Sequence, residues 1–411
     1  MLKEFCKTTD LTDTFIGLHF VDSKPQVVFP RGFRLSEDDK GLRRDILALL
    51  SVLSKFSDLR QGNEIAQING VNNKVDFPLL SYQYIIYNFL NHGYYTENEI
   101  QHVENNRGKI DWKRTIQKEH PWIDNGNIVY LKFIVKTNKI NDNSLLTKIH
   151  KYCVYESFSR LGWLYLDSLY LPPKPTYNLD KGFAILTLKQ AIKNTFNENK
   201  KRLFHSMINV LMQKDSDNDT LSNVSYGVDK FEYVWEKLID HVFSNESNKS
   251  SYFPTSKWYI VASKETYGNS ELRPDTIIKV GDKLFIVDAK YYKYGITGNP
   301  NHLPETDSIQ KQITYGKYAT EKKGYKRTNV YNAFVMPYDN KGSGENYKFV
   351  SVATSDWEQY PSNYSYTYII GILMDTRHII TTYSQTNETE IQKLKKLIVD
   401  SLAQYRIASE N

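Results

Sequence analysis

The sequence predicts an α/β fold: a C-terminal core, with a mixed central sheet flanked by helices, preceded by a mixed α+β N-terminal domain. Three observations carry this. The chain has 411 residues, too many for one ordinary hydrophobic core and about right for two domains. From residue 228 onward the apolar pattern reads helix, strand, strand, strand, helix, strand, as layered α/β proteins do. Between the two halves the polar segment QKDSDNDTLSNVSYG carries no apolar period. That puts a linker at 214–227, between a domain over 1–213 and a domain over 228–411.

In the first half, TFIGLHFVDSKPQVVFPRGF is β-like, with Pro and Gly punctuating apolar runs. A helix follows over 42–56, where Leu47, Leu49, Leu50, Val52 and Leu53 supply an apolar face. Another helix is predicted over 79–92. The segment 124–136 reads as a turn and a strand, since NIVYLKFIV is rich in β-formers. Two long helical regions, 144–162 and 186–212, lie either side of the breaker LPPKP.

The second half is more strongly patterned. Phe231, Val234, Trp235, Leu238, Ile239, Val242 and Phe243 recur at three- and four-residue steps and mark an amphipathic helix. KWYIVA reads as a strand. RPDTIIKV, a short GDK turn and LFIVDAKYY read together as a hairpin. A helix over 307–322 and the strand TNVYNAFVMP close the series.

Composition excludes several classes. An apolar fraction of 40% and an aromatic fraction of 14% exclude a disordered chain. Cys6 and Cys153 are the only cysteines, so neither a disulfide framework nor a cysteine zinc site is available. The start, MLKEFCKTTDLTD, lacks the apolar core of a signal peptide. No uninterrupted apolar run reaches the roughly 18 residues a membrane span needs, and the expected compartment is the cytoplasm. The net charge of +6 suits a DNA partner without requiring one.

The chemistry gathers on LFIVDAK. Side chains alternate along a strand, so Leu284, Ile286, Asp288 and Lys290 share one side, and Phe285, Val287 and Ala289 the other. A face that begins as apolar core therefore ends in an acid and a base, and charges are costly to bury unless paired or bound to metal. Asp275 follows Pro274 at the start of the preceding strand, and the GDK turn folds it back toward Asp288. Two converging carboxylates with open positions suit a hard cation such as Mg²⁺, which keeps several waters. Lys290 is then placed to hold or deprotonate an attacking water, or to stabilise charge developing on a phosphate.

Pro274-Asp275 followed by Asp288-Ala289-Lys290 resembles the PD-(D/E)xK nuclease signature, which implies a restriction-endonuclease-like C-terminal core. That family tends to carry an acidic residue on the first core helix. Glu232 and Glu236, neighbours on one helix face, both qualify; Glu236 is preferred as the third acidic residue and Glu232 is the alternative. Gln310, Gln312 and Tyr315 are similar to a Gln/Tyr motif of some nucleases of this superfamily, but the steps of three and five depart from its usual four. The helix is therefore read as a surface helix.

At full length the chain resembles the LlaJI-type restriction endonucleases, which are similar in turn to McrC-type subunits. VVFPRGF, RGKIDWKRTI, KYCVYESFSRLGW, YGVDKFEYVWEKL, RPDTIIKV through VDAKYY, NAFVMP and GILMDT carry the resemblance. It implies a type II site-specific deoxyribonuclease of a phage-defence system. Such an enzyme cleaves double-stranded DNA to 5′-phosphate ends with Mg²⁺, and a separate methyltransferase protects the host. It also implies an AAA+ NTPase partner of the McrB kind; this chain has no GxxxxGK[ST] loop, so any motor is another polypeptide. Cutting both strands suggests a homodimer on DNA. Lys109, Trp112, Lys113 and Arg114 put basic residues beside an aromatic and are candidates for DNA contact. His120 and His150, without clustered ligands, read as ordinary histidines. The competing readings are an McrC-like subunit of an NTP-driven, modification-dependent complex, a DNA-binding protein on a degenerate nuclease fold, and a repair nuclease.

Overall fold

Contacts between residues divide the chain into two units, one made of Met1–Asp76 with Thr220–Asn411 and the other of Phe77–Asp219. The computed structural model describes residues 2–9, 14–21, 24–57, 73–75, 78–124, 127–166, 170–213, 225–357, 361, 363–383 and 388–410. This division corrects the expected one. Residues 214–224 of the expected linker lie outside the described residues, but its last residues form a buried strand, Ser225–Val228. That strand pairs with strands near the N-terminus, so the first segment of the chain belongs with the last and residues 1–213 are not one domain.

In chain order the first unit begins with strands β1 (Cys6–Thr8), β2 (Ile16–Val21) and β3 (Lys24–Phe29), helix α1 (Asp39–Ser57) and strand β4 (Asn73–Val75). It resumes with strand β5 (Ser225–Val228) and helix α2 (Phe231–Phe243). The first sheet runs β1-β3-β2-β5-β4, with β5 antiparallel to β2 and β4. Gly17 and Gly227 face each other in it, and a Cβ on Gly17 would sit 2.2 Å from the Tyr226 carbonyl oxygen. Any side chain there would force the strands apart. Leu42, Ile46, Leu49, Leu50 and Leu53 are buried along α1, the three- and four-residue spacing of a core-facing helix.

Next come strands β6 (Thr255–Ile260), β7 (Glu265–Glu271), β8 (Thr276–Val280) and β9 (Lys283–Ala289), then helix α3 (Thr306–Lys323). Strands β10 (Val330–Tyr338), β11 (Tyr347–Ala353) and β12 (Ile369–Asp375) and helices α4 (Thr376–Thr382) and α5 (Glu388–Glu410) complete the unit. The second sheet is mixed, in the order β8-β9-β10-β12-β11. Its three middle strands are parallel and its outer strands pair antiparallel. Every residue of β10 and β12 is buried, the near-continuous apolar run of a parallel strand covered on both faces. Helix α2 packs on β8 and β9. Ile313 and Ala319 of α3 join Ile277, Leu284 and Ile286 in one core cluster. Helix α5, which sequence patterning did not identify, buries Ile391, Leu394, Ile398 and Leu402 and packs against β11 and α2.

KWYIVA does form a strand, β6, but outside the central sheet. Among the described residues it pairs only with β7, in a two-stranded ribbon, and all its residues are exposed.

The second unit groups helices Leu79–His92, Leu145–Tyr165, Lys181–Lys193 and Glu198–Leu211 with a small antiparallel sheet of Glu97–Glu104, Ile134–Asn141 and Lys109–Ile110. The single helix expected over 186–212 is two. Asn197 caps the second by accepting from Lys200 N at 3.0 Å, and Asp180 caps the first by accepting from Phe183 N at 3.0 Å; such side chains start helices rather than continue them. No described helix is long and apolar enough to cross a membrane.

Candidate active site

The site grows out of the β8–β9 hairpin. Its two-residue loop, Gly281 and Asp282, closes on the pair Val280 and Lys283, with Gly281 at φ 61°, a conformation that costs glycine nothing. From there the register runs without a slip to Thr276 opposite Val287. One further step sets Asp275 across from Asp288, on the face of Ile277 and Ile286. The Asp275 carboxylate is fastened there, its Oδ2 accepting from Ala289 N at 2.8 Å. Lys290 N donates to Val335 O at 2.8 Å, which extends the parallel pairing with β10 by one residue and fixes where the lysine leaves the sheet. Its Nζ lies 2.7 Å from Asp288 Oδ2. Lys249 braces the start of β8, donating to Asp240 Oδ2 at 2.6 Å and to the Asp275 carbonyl at 2.9 Å.

This is a crowded group of acids. Burial, then the charge of Asp288 and a hydrogen bond with it, then Glu236, push the Asp275 carboxyl up to about 9. Burial and the Asp288 charge push Glu236 up to about 7, against the pull of Lys290. Burial alone would lower the Lys290 ammonium, but Asp288 and Asp275 outweigh it and hold the lysine above its ordinary value. Burial, followed by Asp288 and Asp275, raises the Tyr315 phenol. Without a cation, Asp275 therefore keeps its proton, since two like charges in contact cannot both ionise cheaply.

Asp275, Asp288 and Lys290 are thus brought together, and Glu236 feels the charges of Asp288 and Lys290. Glu232 is exposed on the same helix. With Glu236 and Lys290 it lines an adjoining cleft of about 320 Å³. Among the described residues no three His, Cys, Asp or Glu side chains converge into a ready-made metal cage. Helix α3 is not a surface helix at this point. Gln312 is fully buried and Tyr315 nearly so. Gln312 Nε2 donates to the Ile286 carbonyl at 2.7 Å, pinning α3 to β9, while Gln310 Nε2 reaches Ser355 Oγ at 3.3 Å.

Lys109, Trp112, Lys113 and Arg114 belong to the second unit and are exposed. Trp112 packs edge-on against Phe133 at 5.8 Å between ring centroids. Arg114 Nε lies 3.8 Å from Asp111. His150 is buried, accepts from Tyr95 N at 2.8 Å through Nδ1 and is held down to about 4 by burial, so it is a neutral core histidine. His120 is exposed. Both cysteines are free and burial raises both thiols, so neither serves as a thiolate nucleophile.

Sequence reasoning missed Lys249, Arg31 and Tyr291. Lys249 lies in a polar stretch with no period to flag it. Arg31 was visible only as part of VVFPRGF, and nothing local ties it to a residue 260 positions away.

The profile of the LlaJI restriction endonuclease family matches residues 15–357. The chain is similar to the Type II restriction enzyme BsuMI component YdjA of Bacillus subtilis (strain 168). The two are 24% identical over 355 residues, which cover 80% of this chain and 73% of that protein. It is also similar, at 13% identity and a TM-score of 0.41, to a chain of the half-complex of Thermococcus gammatolerans McrB AAA+ hexamers with bound McrC. That likeness covers 91% of this chain and 82% of the other. With its profile matched over most of its length, the chain belongs to the LlaJI restriction endonuclease family.

Proposed function

We propose that this chain is the nuclease of a restriction system, hydrolysing phosphodiester bonds of double-stranded DNA to 5′-phosphate ends on a PD-(D/E)xK core. The observation that supports this most strongly is the cross-strand pair Asp275 and Asp288, with the Lys290 ammonium 2.7 Å from Asp288 at the end of a parallel strand. Residues of this kind, displaced in pKa by burial and by one another, mark functional sites.

The donor set fits Mg²⁺. Two carboxylates supply hard oxygen ligands and leave the other positions to water and substrate, and among the described residues no imidazole or thiolate joins them in a metal-binding cluster. Asp275 and Asp288 would hold the ion, which would supply Lewis-acid stabilisation of charge on the phosphate. The chain's own groups do the rest. Lys290, 2.7 Å from Asp288, is placed to stabilise charge on the phosphate or to hold the attacking water. Glu236, near 7, is poised to accept a proton from water at neutral pH.

The Bacillus subtilis relative is by name one component of a restriction enzyme. This favours a second reading, in which the chain cuts only as a subunit, with a methyltransferase and an AAA+ NTPase among the companions. Digestion of unmethylated phage DNA in Mg²⁺ tests both. The arms are the chain alone, the chain with its neighbouring gene products, and the chain with those products plus GTP or ATP. Discrete 5′-phosphorylated fragments from the chain alone support the first reading. Cutting only with companions supports the second, and no cutting in any arm refutes both.

A further inference from the structure

Two residues from opposite ends of the sequence meet beside Lys290. The Arg31 backbone N–H donates to Tyr291 Oη at 2.7 Å, and Arg31 Nη1 donates to the Tyr291 carbonyl at 3.2 Å. The guanidinium lies 4.8 Å from the centroid of the Tyr291 ring. Tyr291 is itself seated against Phe231 and Trp235 of α2, with ring centroids 5.2 and 6.2 Å away. Gly32, at φ 77°, shapes the turn, and a Cβ there would strike the Tyr338 backbone at 2.8 Å. Arg31 is therefore held by a built support on the wall of the cleft that Glu236 and Lys290 line.

This support leaves Arg31 without a carboxylate partner. Asp229, Glu232 and Glu236 line the same cleft, and among the described residues neither glutamate forms an ion pair with Arg31. Arg31 Nε is shut away from solvent with no hydrogen-bond partner. Lys290, the other cation of the cleft, is already engaged by Asp288 at 2.7 Å. A polyanion entering a cleft rich in carboxylates needs a positive group that no carboxylate has neutralised, and a guanidinium matches phosphate geometry better than an ammonium does.

We propose that Arg31 binds a phosphate oxygen of the DNA strand entering this cleft, seating the phosphodiester beside Lys290 and the Asp275–Asp288 pair. The proposal rests on the nuclease reading and adds a substrate-binding residue to it.

The test uses the full chain, with its companions if cutting requires them, and a fluorescent DNA duplex in Ca²⁺. Affinity is measured against salt for wild type, Arg31→Met, which keeps the stem over Tyr291, and Arg31→Lys, which keeps the charge. Arg31→Met should flatten the slope of log K against log salt by about 0.9, one phosphate contact, with an unchanged melting temperature. Its cleavage in Mg²⁺ should fall about 10²- to 10³-fold. Arg31→Lys should restore the slope and recover part of the cleavage. An unchanged slope in Arg31→Met overturns the proposal while wild type still cuts, as does a loss confined to melting temperature that lysine repairs. If Arg31→Met does not fold, Arg31→Gln against Arg31→Lys carries the same comparison. A wild type that neither binds nor cuts refutes the nuclease reading itself.

Discussion

Asp275→Asn should stabilise the cation-free protein, and more so as pH rises. In the folded chain burial, Asp288 and Glu236 keep the Asp275 carboxyl protonated up to about 9, whereas in the unfolded chain it ionises near the ordinary value of about 3.9. Between those limits the folded state holds a proton that the unfolded state has released. Wild-type stability therefore declines as pH rises, by at most about 1.4 kcal/mol per pH unit for one proton. From about pH 5 to about pH 8 the ceiling is about 4 kcal/mol. The effective dielectric at such a site is well above that of a dry interior. The expected loss is accordingly about 1–2 kcal/mol. Asparagine has the shape of the neutral acid: its Oδ1 can take the Ala289 N–H that now goes to Asp275 Oδ2, and it has no proton to lose. Urea unfolding in EDTA across that pH range should give a wild-type curve that falls away from a flatter Asp275→Asn curve. With Mg²⁺ the order should narrow or reverse, because only wild type gains binding energy. Parallel curves in EDTA would mean that Asp275 is ionised in the folded chain, and its protonated state would be refuted.

Two further predictions concern the surroundings of the pair. Because Glu236 is pushed up to about 7 and a bound cation can only lower it, cleavage should rise with pH through an acidic limb at or below about 7. Glu236→Gln should remove that limb and slow cleavage by about 10²- to 10⁴-fold; an unaltered pH–rate profile would take Glu236 out of the reaction. Gln312→Leu strips the donor from the buried Ile286 carbonyl and should cost about 1–3 kcal/mol in urea unfolding, whereas a neutral result would show that water replaces the bond.

Much of the site was legible because its signals are local. The seven apolar positions that mark α2 in the sequence are its seven buried ones, since a helix repeats its face within a turn. The hairpin was legible because a glycine turn fixes register, and register carries Asp275 to Asp288. What escaped depends on pairing between distant segments. Ser225–Val228 looks like the tail of a polar linker until β2 and β4 close around it. Strand β6 has strand periodicity, but periodicity does not say which sheet a strand joins. Gln312 and Tyr315 look polar enough for a surface, and only the packing of α3 onto β9 shows that the Ile286 carbonyl takes the amide.

The most direct test of the central claim compares wild type with Asp288→Asn on duplex DNA in Mg²⁺, with EDTA as control and companions present in every arm. Asparagine keeps the size of Asp288 while removing the charge that pairs with Lys290 and the ligand oxygen expected to meet the cation. Wild type should give fragments in Mg²⁺ and none in EDTA, and a folded Asp288→Asn that still binds DNA should give none. Equal cutting by the two proteins would contradict the claim and move the nuclease site elsewhere.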